Sequence, residues 1–539
     1  MAEYEKYSLR PGNKFYAVAV CSALVLILGS LLFQHPGNIS QSKAPSTVVK
    51  TDDNVDSISN PLLYESDQEL YKQIFSAQKA ADWEAADEGI SKLSSDLLLG
   101  DVLAERYLHR HYDTTSNEII AWLKNYSDHS ETPDILEMAN RKYPEVFSKM
   151  PKTERPLALS GYGDESSDDI RFNDNPQARK LWSYGIEAWR NGKKSESAKS
   201  FALLADKKKN LSDWQYSAAS FWAYRSFVAL GDKEKANYYL NEAATNPRVF
   251  YGMLAYKQLD KPLELDTRFI NISQPDIKKL LGKAKIQRII ALAQSGLNER
   301  AEAQLRLLFT SSDRQEKWLL LSLANKLHLA SAQISMAKQL DNNERQLDML
   351  KYPVPAWKPT GGFNIDPDLL YALMRQESGF RSSAISPGGA LGLMQLMPQT
   401  ARKMQATVPF NDEISKNLNI SEPVLNITLG ERYVEHLLGN NLVNNNLFYM
   451  LAAYNAGPKR LKEWQDNISY NDDPLLFVES IPYSETRHYV LQVMTNYWVY
   501  SELDGKKNAS IYSVLQGSWP IYSAPDASVA DSGRRERNG

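Results

Sequence analysis

The sequence predicts an all-α protein. Three observations predict it: apolar residues recur at three and four over most of the chain, strand-like alternation is nearly absent, and a helix-turn-helix unit repeats loosely. Positions three and four apart share one helix face, so Leu181, Tyr184, Ile186, Ala188 and Trp189 make an apolar stripe suited to burial. The chain has 539 residues, 43% hydrophobic and 24% charged, which fits two or three globular domains and argues against collagen-like, coiled-coil-only or wholly disordered chains. Its 62 basic and 65 acidic residues nearly cancel, giving a formal charge of −3 and no electrostatic reason to expect nucleic acid as a partner. One cysteine cannot close an intramolecular disulfide, and seven scattered histidines show no zinc-type spacing. Metal-free, cofactor-free chemistry is expected.

The elements follow in order. Residues 1–14 carry Lys6, Arg10 and Lys14, and Phe15–Phe33 is a run of 19 residues without a charge. At about 1.5 Å per residue such a helix just crosses a hydrocarbon core, and the positive-inside bias leaves residues 1–14 in the cytoplasm. An uncleaved transmembrane anchor over 15–33 is expected, with a cleaved signal peptide as its alternative; Cys21 reads as a thiol packed within it. Residues 34–60 are rich in Ser, Asn, Asp and Pro and read as a flexible linker. Residues 61–350 read as a helical-repeat superhelix. Ala188–Gly192 then Ser195–Ala198, and Val228–Gly231 then Lys233–Ala236, repeat a Gly-turn unit; weaker copies lie at Ala291–Gly296 with Ala301 and at Ala80–Ala86. Trp182, Trp189, Trp214 and Trp222 read as core, with a carbohydrate-stacking platform as the alternative. The prolines of YPVPAWKP place a boundary at 351–357, ahead of a second domain over 358–510; 511–539 reads as a disordered tail.

Chemistry concentrates between Asp366 and Val499. Asp366-Pro367-Asp368 opens a helix that ends at Ser378-Gly379-Phe380, so Glu377 sits at the C-terminal end of a mostly apolar helix. The dipole and an apolar setting both disfavour a carboxylate there and would let Glu377 hold a proton near neutral pH, as a general acid must. A solvated helix-end glutamate is the plainer alternative. SPGGALGLMQLMPQTA (386–401) reads as a glycine-rich turn leading into a Met-rich helix, with Gln395 offering an amide. LAAYNAGP (451–458) places Tyr454 and Asn455 among small residues, and IPYSETRHYV (481–490) offers Glu485 and Arg487, which could bridge helices instead.

Together ES.F, GLMQLMP, AYNAGP and IPY.ETR, in this order, strongly resemble the catalytic domain of the soluble lytic murein transglycosylases. That resemblance implies a goose-type-lysozyme-like α-helical domain after an N-terminal superhelix, to which Asn246–Gly252 is also similar. It implies cleavage of the N-acetylmuramic acid to N-acetylglucosamine β-1,4 bond of peptidoglycan, leaving 1,6-anhydromuramic acid ends. By motif position Glu377 matches the single catalytic acid/base, and Ser386, Gln395, Met397, Ala453, Tyr454, Asn455 and Glu485 match saccharide-groove residues. Ala390-Leu391-Gly392 departs from the Ala-Ser-Gly of one branch, and the anchor departs from freely soluble members. The implied partners are glycan strands, the bacterial inner membrane through the N-terminal helix, and cell-wall synthesis or secretion machinery, with the catalytic part in the periplasm.

The chemistry also follows from the residues. Ordinary glycosidases flank the bond with two carboxylates, and no second acid stands near Glu377 in its own segment. One carboxyl suffices if the sugar's own C6 hydroxyl attacks C1, with Tyr454 bonding the carboxyl or stabilising charge. A non-catalytic glycan-binding scaffold and a lysozyme-type hydrolase are the rival readings.

Overall fold

Each glycine of the repeat closes a helix. Gly192, Gly231 and Gly296 take φ of 74°, 75° and 71° between the helix pairs Pro176–Arg190 and Lys194–Ala205, Asp213–Leu230 and Lys233–Ala243, and Ala284–Gln294 and Asn298–Ser311. A side chain would crowd the following carbonyl in that left-handed conformation, which is why glycine punctuates the unit. The alanines that recur with them, Ala198, Ala236 and Ala301, are buried where the paired helices meet. In the copy at residues 80–86 the left-handed position is held by Ala81, at φ 59°, with Asp82 capping the next helix and Ala86 buried.

The structure, a computed structural model, describes residues 62–159, 175–267, 274–340, 347–406 and 419–523. The segments read as cytoplasmic N-terminus, anchor and linker lie outside the described residues. Among the described residues the fold is all-α: every regular element is a helix, and pairing is confined to the isolated bridges Ile385 to Leu391, Leu391 to Leu396 and Asn446 to Ile521. No described helix is long and apolar enough to cross a membrane.

The described residues form two compact units that do not follow chain order, one of 62–159 with 274–340 and the other of 175–267 with 347–523. The first packs Ala104, Tyr107, Ile119, Trp122, Ile135, Ala139 and Phe147 into a core, with Thr115 and Glu118 forming a capping box at the helix Ser116–Tyr126.

The second unit holds the four motif segments. Its site-building helices are α1 (Pro176–Arg190), α2 (Asp213–Leu230), α3 (Phe250–Gln258), α4 (Pro367–Ser378), α5 (Pro423–Leu438), α6 (Leu447–Ala456), α7 (Pro474–Ser480) and α8 (Ser484–Leu503). Trp182 and Trp222 are buried here, as a core role requires. Trp189 is half-buried, with Arg225 and Lys194 against its ring at 4.6 and 3.3 Å. The Arg248 guanidinium grips Asp348 at 2.7 and 2.6 Å, and Asp348 also accepts the Asp266 N–H, so the chain after α3 is tied to the entry of the C-terminal segment. YPVPAWKP is non-helical from Pro353 on, with the Pro353 carbonyl accepting the Tyr500 hydroxyl at 2.9 Å.

The expected disordered tail is corrected in its first part. Ala509–Leu515 is a helix; the Trp519 ring sits 4.8 Å from Tyr449 while its Nε1 donates to Asp472, and the Tyr522 hydroxyl accepts the Asp366 N–H at 2.9 Å. Few apolar residues are needed for order when aromatic rings and backbone pairing fix a segment against an existing core. Residues 524–539 lie outside the described residues.

Candidate active site

The site is built from α4. Asp366 caps it by accepting the Asp368 N–H, Pro367 occupies its first position, and Gly379, at φ 57°, ends it, as the sequence predicts. From Pro367 to Arg375 every side chain is buried. Gln376 and Glu377 are partly open near the C-terminal end, where the helix dipole disfavours negative charge. Burial pushes its carboxyl up; a hydrogen bond from Tyr489 pulls it partly back; and the Glu485 carboxylate pushes it up again, to about 8. At neutral pH Glu377 therefore carries its proton.

At the opposite end of α4 Lys506 reaches Asp368 at 2.8 Å, Asp504 at 3.0 Å and Asp366 at 3.4 Å, and the Tyr497 hydroxyl donates to Asp366 at 3.0 Å. Burial, with Asp504 and Asp366 beside it, raises Asp368 to about 8. These acids lie at the far end of the helix from Glu377 and serve as its anchor.

The glycine-rich segment corrects one expectation. The Met-rich stretch is a loop, and the helix Pro398–Gln405 begins only after Met397. Gly392 explains the loop: its φ is 78°, and a Cβ there would lie 2.4 Å from the Asn426 amide. Asn426, on α5, accepts the Met394 N–H and donates to the carbonyls of Leu391 and Ile420, while the Ser378 hydroxyl next to Glu377 donates to the Leu393 carbonyl at 2.8 Å. Gln395 adopts φ 45°; its amide donates to the Ala384 and Gly392 carbonyls, and its Oε1 is buried without a hydrogen-bond partner. Ser386 accepts the Ala390 N–H through its hydroxyl, so it shapes the turn. Met397 is 46% exposed and Ile385 70%, whereas Met394 is buried.

The remaining predicted residues come from α6 and α8. Ala453 is fully buried, with its carbonyl accepting the Gly457 N–H, so its side chain offers no groove surface. The Tyr454 hydroxyl donates to the Met394 carbonyl at 2.8 Å, which corrects the expectation that it bonds the acid. Burial and the nearby Glu377 keep Tyr454 well above the usual tyrosine range. Asn455 Oδ1 accepts the Thr486 hydroxyl at 2.6 Å. Glu485 is exposed in the first turn of the 20-residue α8, not in a loop. Arg487 is buried and turned away from any bridge to Glu485: its Nη1 donates to the carbonyls of Glu479 and Ile481.

Sequence reasoning missed Tyr489, whose hydroxyl donates to Glu377 Oε1 at 2.5 Å. Its signal was its place one helical turn after Glu485, on the same face of α8. A phenol held this far above its usual range by burial and by Glu377 stays a donor, so it steadies the carboxylate that forms once Glu377 gives up its proton. The arrangement thus combines a protonated acid, a donor for its conjugate base, and a second carboxylate raising its proton affinity.

The site is thus an acid held in its protonated form near the end of a core helix in an all-α domain. Residues 356–475 match the family described as Transglycosylase SLT domain. The chain is 30% identical over 312 residues to the soluble lytic murein transglycosylase of Salmonella typhimurium, covering 57% of this chain and 46% of that one. To the enzyme of the same name from Escherichia coli K12 it is 29% identical over 296 residues, covering 54% and 44%. Among solved structures, the 70 kDa soluble lytic transglycosylase of Escherichia coli aligns with 21% identity and a TM-score of 0.49, covering 85% of this chain and 64% of that one. The chain spans about half the length of the curated relatives it matches. The resemblance carried by the four motifs is borne out: the chain is related to the soluble lytic transglycosylases through an SLT domain.

Two substitutions should move the acid in opposite directions. Glu485→Gln removes a charge that raises Glu377, so the alkaline limb of kcat/KM should shift to lower pH; Tyr489→Phe removes a bond that lowers it, so the limb should shift to higher pH. Shifts of about half a unit or more are expected, and the pH profiles of the two purified variants check both signs.

Proposed function

We propose that this chain is a membrane-tethered periplasmic lytic transglycosylase. It would cleave the N-acetylmuramic acid to N-acetylglucosamine β-1,4 bond of peptidoglycan without water and leave 1,6-anhydromuramic acid ends. The observation that carries the reading is Glu377, partly open yet desolvated enough to be protonated at neutral pH, bonded by Tyr489 and lying in the matched SLT segment.

In this reading Glu377 first protonates the glycosidic oxygen that leaves. As a carboxylate, held by the Tyr489 hydroxyl, it then removes the C6 hydroxyl proton while that oxygen closes on C1. Intramolecular attack raises the effective concentration of the nucleophile by orders of magnitude, which lets one carboxyl serve both steps. Ser386 and Gln395 act through the shape of the loop, exposed Met397 offers apolar contact to a sugar face, Asn455 orients the start of α8, and Glu485 stands at the rim. The helices before residue 350 are assigned to a superhelix that guides the strand, and Phe15–Phe33 to an inner-membrane anchor. One observation favours lysozyme-type hydrolysis as a second reading: Glu377 does feel another carboxylate, Glu485, which could orient a water.

Glu377→Gln should lower turnover by at least about a thousandfold, since the amide can neither give nor take the proton. The variant should also be more stable near pH 7. Glu377 is raised on folding, so the native state holds a proton that the unfolded state releases; stability falls between about pH 4.5 and 8, and Gln removes that cost, on the order of 1–3 kcal/mol. Mass spectrometry of products from purified sacculi decides the chemistry: anhydro ends are expected, and reducing ends would establish the hydrolase. The anchor predicts retention in the membrane fraction through carbonate washing; a soluble form beginning after residue 33 would replace it with a cleaved signal.

A further inference from the structure

We infer that Tyr251, on α3 and outside the matched SLT segment, is a positioning residue for the cleavage site: through Glu479 and Arg487 it fixes the first turn of α8, and with it Glu485 and Tyr489 around Glu377. This rests on the glycan-cleaving reading above. Tyr251 is buried, and its hydroxyl donates to Glu479 Oε1 at 2.6 Å. The Glu479 side chain is fully buried and lies 3.9 Å from Arg487 Nε, while Arg487 Nη1 donates to the Glu479 and Ile481 carbonyls at 3.2 and 3.0 Å. Those carbonyls belong to the last turn and C-cap of α7, from which the chain passes into α8, where Glu485 and Tyr489 flank Arg487 by two residues on either side.

The turn cannot simply drift, because α7 before it is held at both ends by α1 and α2. Asp473, its N-cap, accepts Trp189 Nε1 at 2.9 Å and Arg225 Nη2 at 2.8 Å, with the guanidinium lying between the rings of Trp189 and Trp222 at 4.6 and 4.5 Å. At the other end Arg190 donates to the Ser480 hydroxyl at 2.9 Å. A buried carboxylate needs strong donors. Without the Tyr251 hydroxyl, Glu479 draws the Arg487 guanidinium toward itself and off the two carbonyls. The displaced first turn then carries Tyr489 away from Glu377, and the remaining groups facing that acid, Glu485 of α8 and Tyr454 of α6, with Tyr433 of α5 behind Tyr454, are left to set its proton affinity.

The test uses the full chain carrying Tyr251→Phe, with two readouts. One is the titration midpoint of Glu377, followed by NMR of ¹³C-carboxyl-labelled glutamate and assigned by the signal that Glu377→Gln removes. The other is kcat and KM on peptidoglycan strands. A midpoint shift of about half a unit or more, with kcat down about 3- to 30-fold and KM within about twofold, is expected. An unchanged midpoint and kcat in the folded variant overturns the inference even if its melting temperature falls. Should Tyr251→Phe not fold, Glu479→Gln, which keeps an acceptor for Tyr251 but loses the charge facing Arg487, carries the same two readouts. A wild-type chain that cleaves nothing overturns the proposed activity instead, while the midpoint comparison still decides the role of Tyr251.

Discussion

Everything at this site depends on the removal of α4 from water. Nearly all of its side chains are buried, and it is held to α8 at both ends, by Tyr497 near Asp366 and by Tyr489 at Glu377, with Lys506 just beyond α8 also reaching Asp366. Between them Arg375 donates to Asn496 of α8 at 3.0 Å and lies over the Tyr352 ring. A helix fixed along its length presents its last turn in one place, which is what a proton donor to a strand of defined geometry requires. The same burial raises Glu377, so position and protonation share a cause.

That cause also explains the division of labour around the acid. Tyr454 looked like the partner of the carboxyl, yet its hydroxyl is spent on the Met394 carbonyl, where it fixes the loop that Gly392 and Asn426 shape. Tyr489 takes the direct bond. One phenol supports the wall and the other the acid. Glu485, outside both bonds, acts through charge.

Much of this was legible from local rules. Asp366, Pro367 and Gly379 mark the ends of α4 by capping chemistry, Gly192, Gly231 and Gly296 mark turns by the need for positive φ, and Gly457-Pro458 marks the break after α6. Those signals involve neighbours in sequence. The misses around the acid involve partners far apart in it, since the Tyr489 bond spans 112 residues and the Tyr454 bond 60, whereas Arg487 turns back to the carbonyl of Glu479, eight residues earlier, across the break between α7 and α8. The loop at Leu391–Met397 was read as helix because its apolar spacing mimics one, whereas Gly392 and Gln395 at positive φ break it. The order of Trp519 rests on an aromatic cluster with Tyr449, Tyr470 and Phe477, and that of Tyr522 on bonds to Asp366 and the Asn445 carbonyl, partners that no window of the sequence contains.

The central claim is that folding keeps Glu377 protonated at neutral pH with no second acid bonded to it. Direct titration of Glu377 in the wild-type chain, by ¹³C-carboxyl NMR with the signal assigned through its absence in Glu377→Gln, tests this without reference to substrate. The account predicts a midpoint near 8. A midpoint between about 4 and 5, the range of a solvated glutamate, would contradict it.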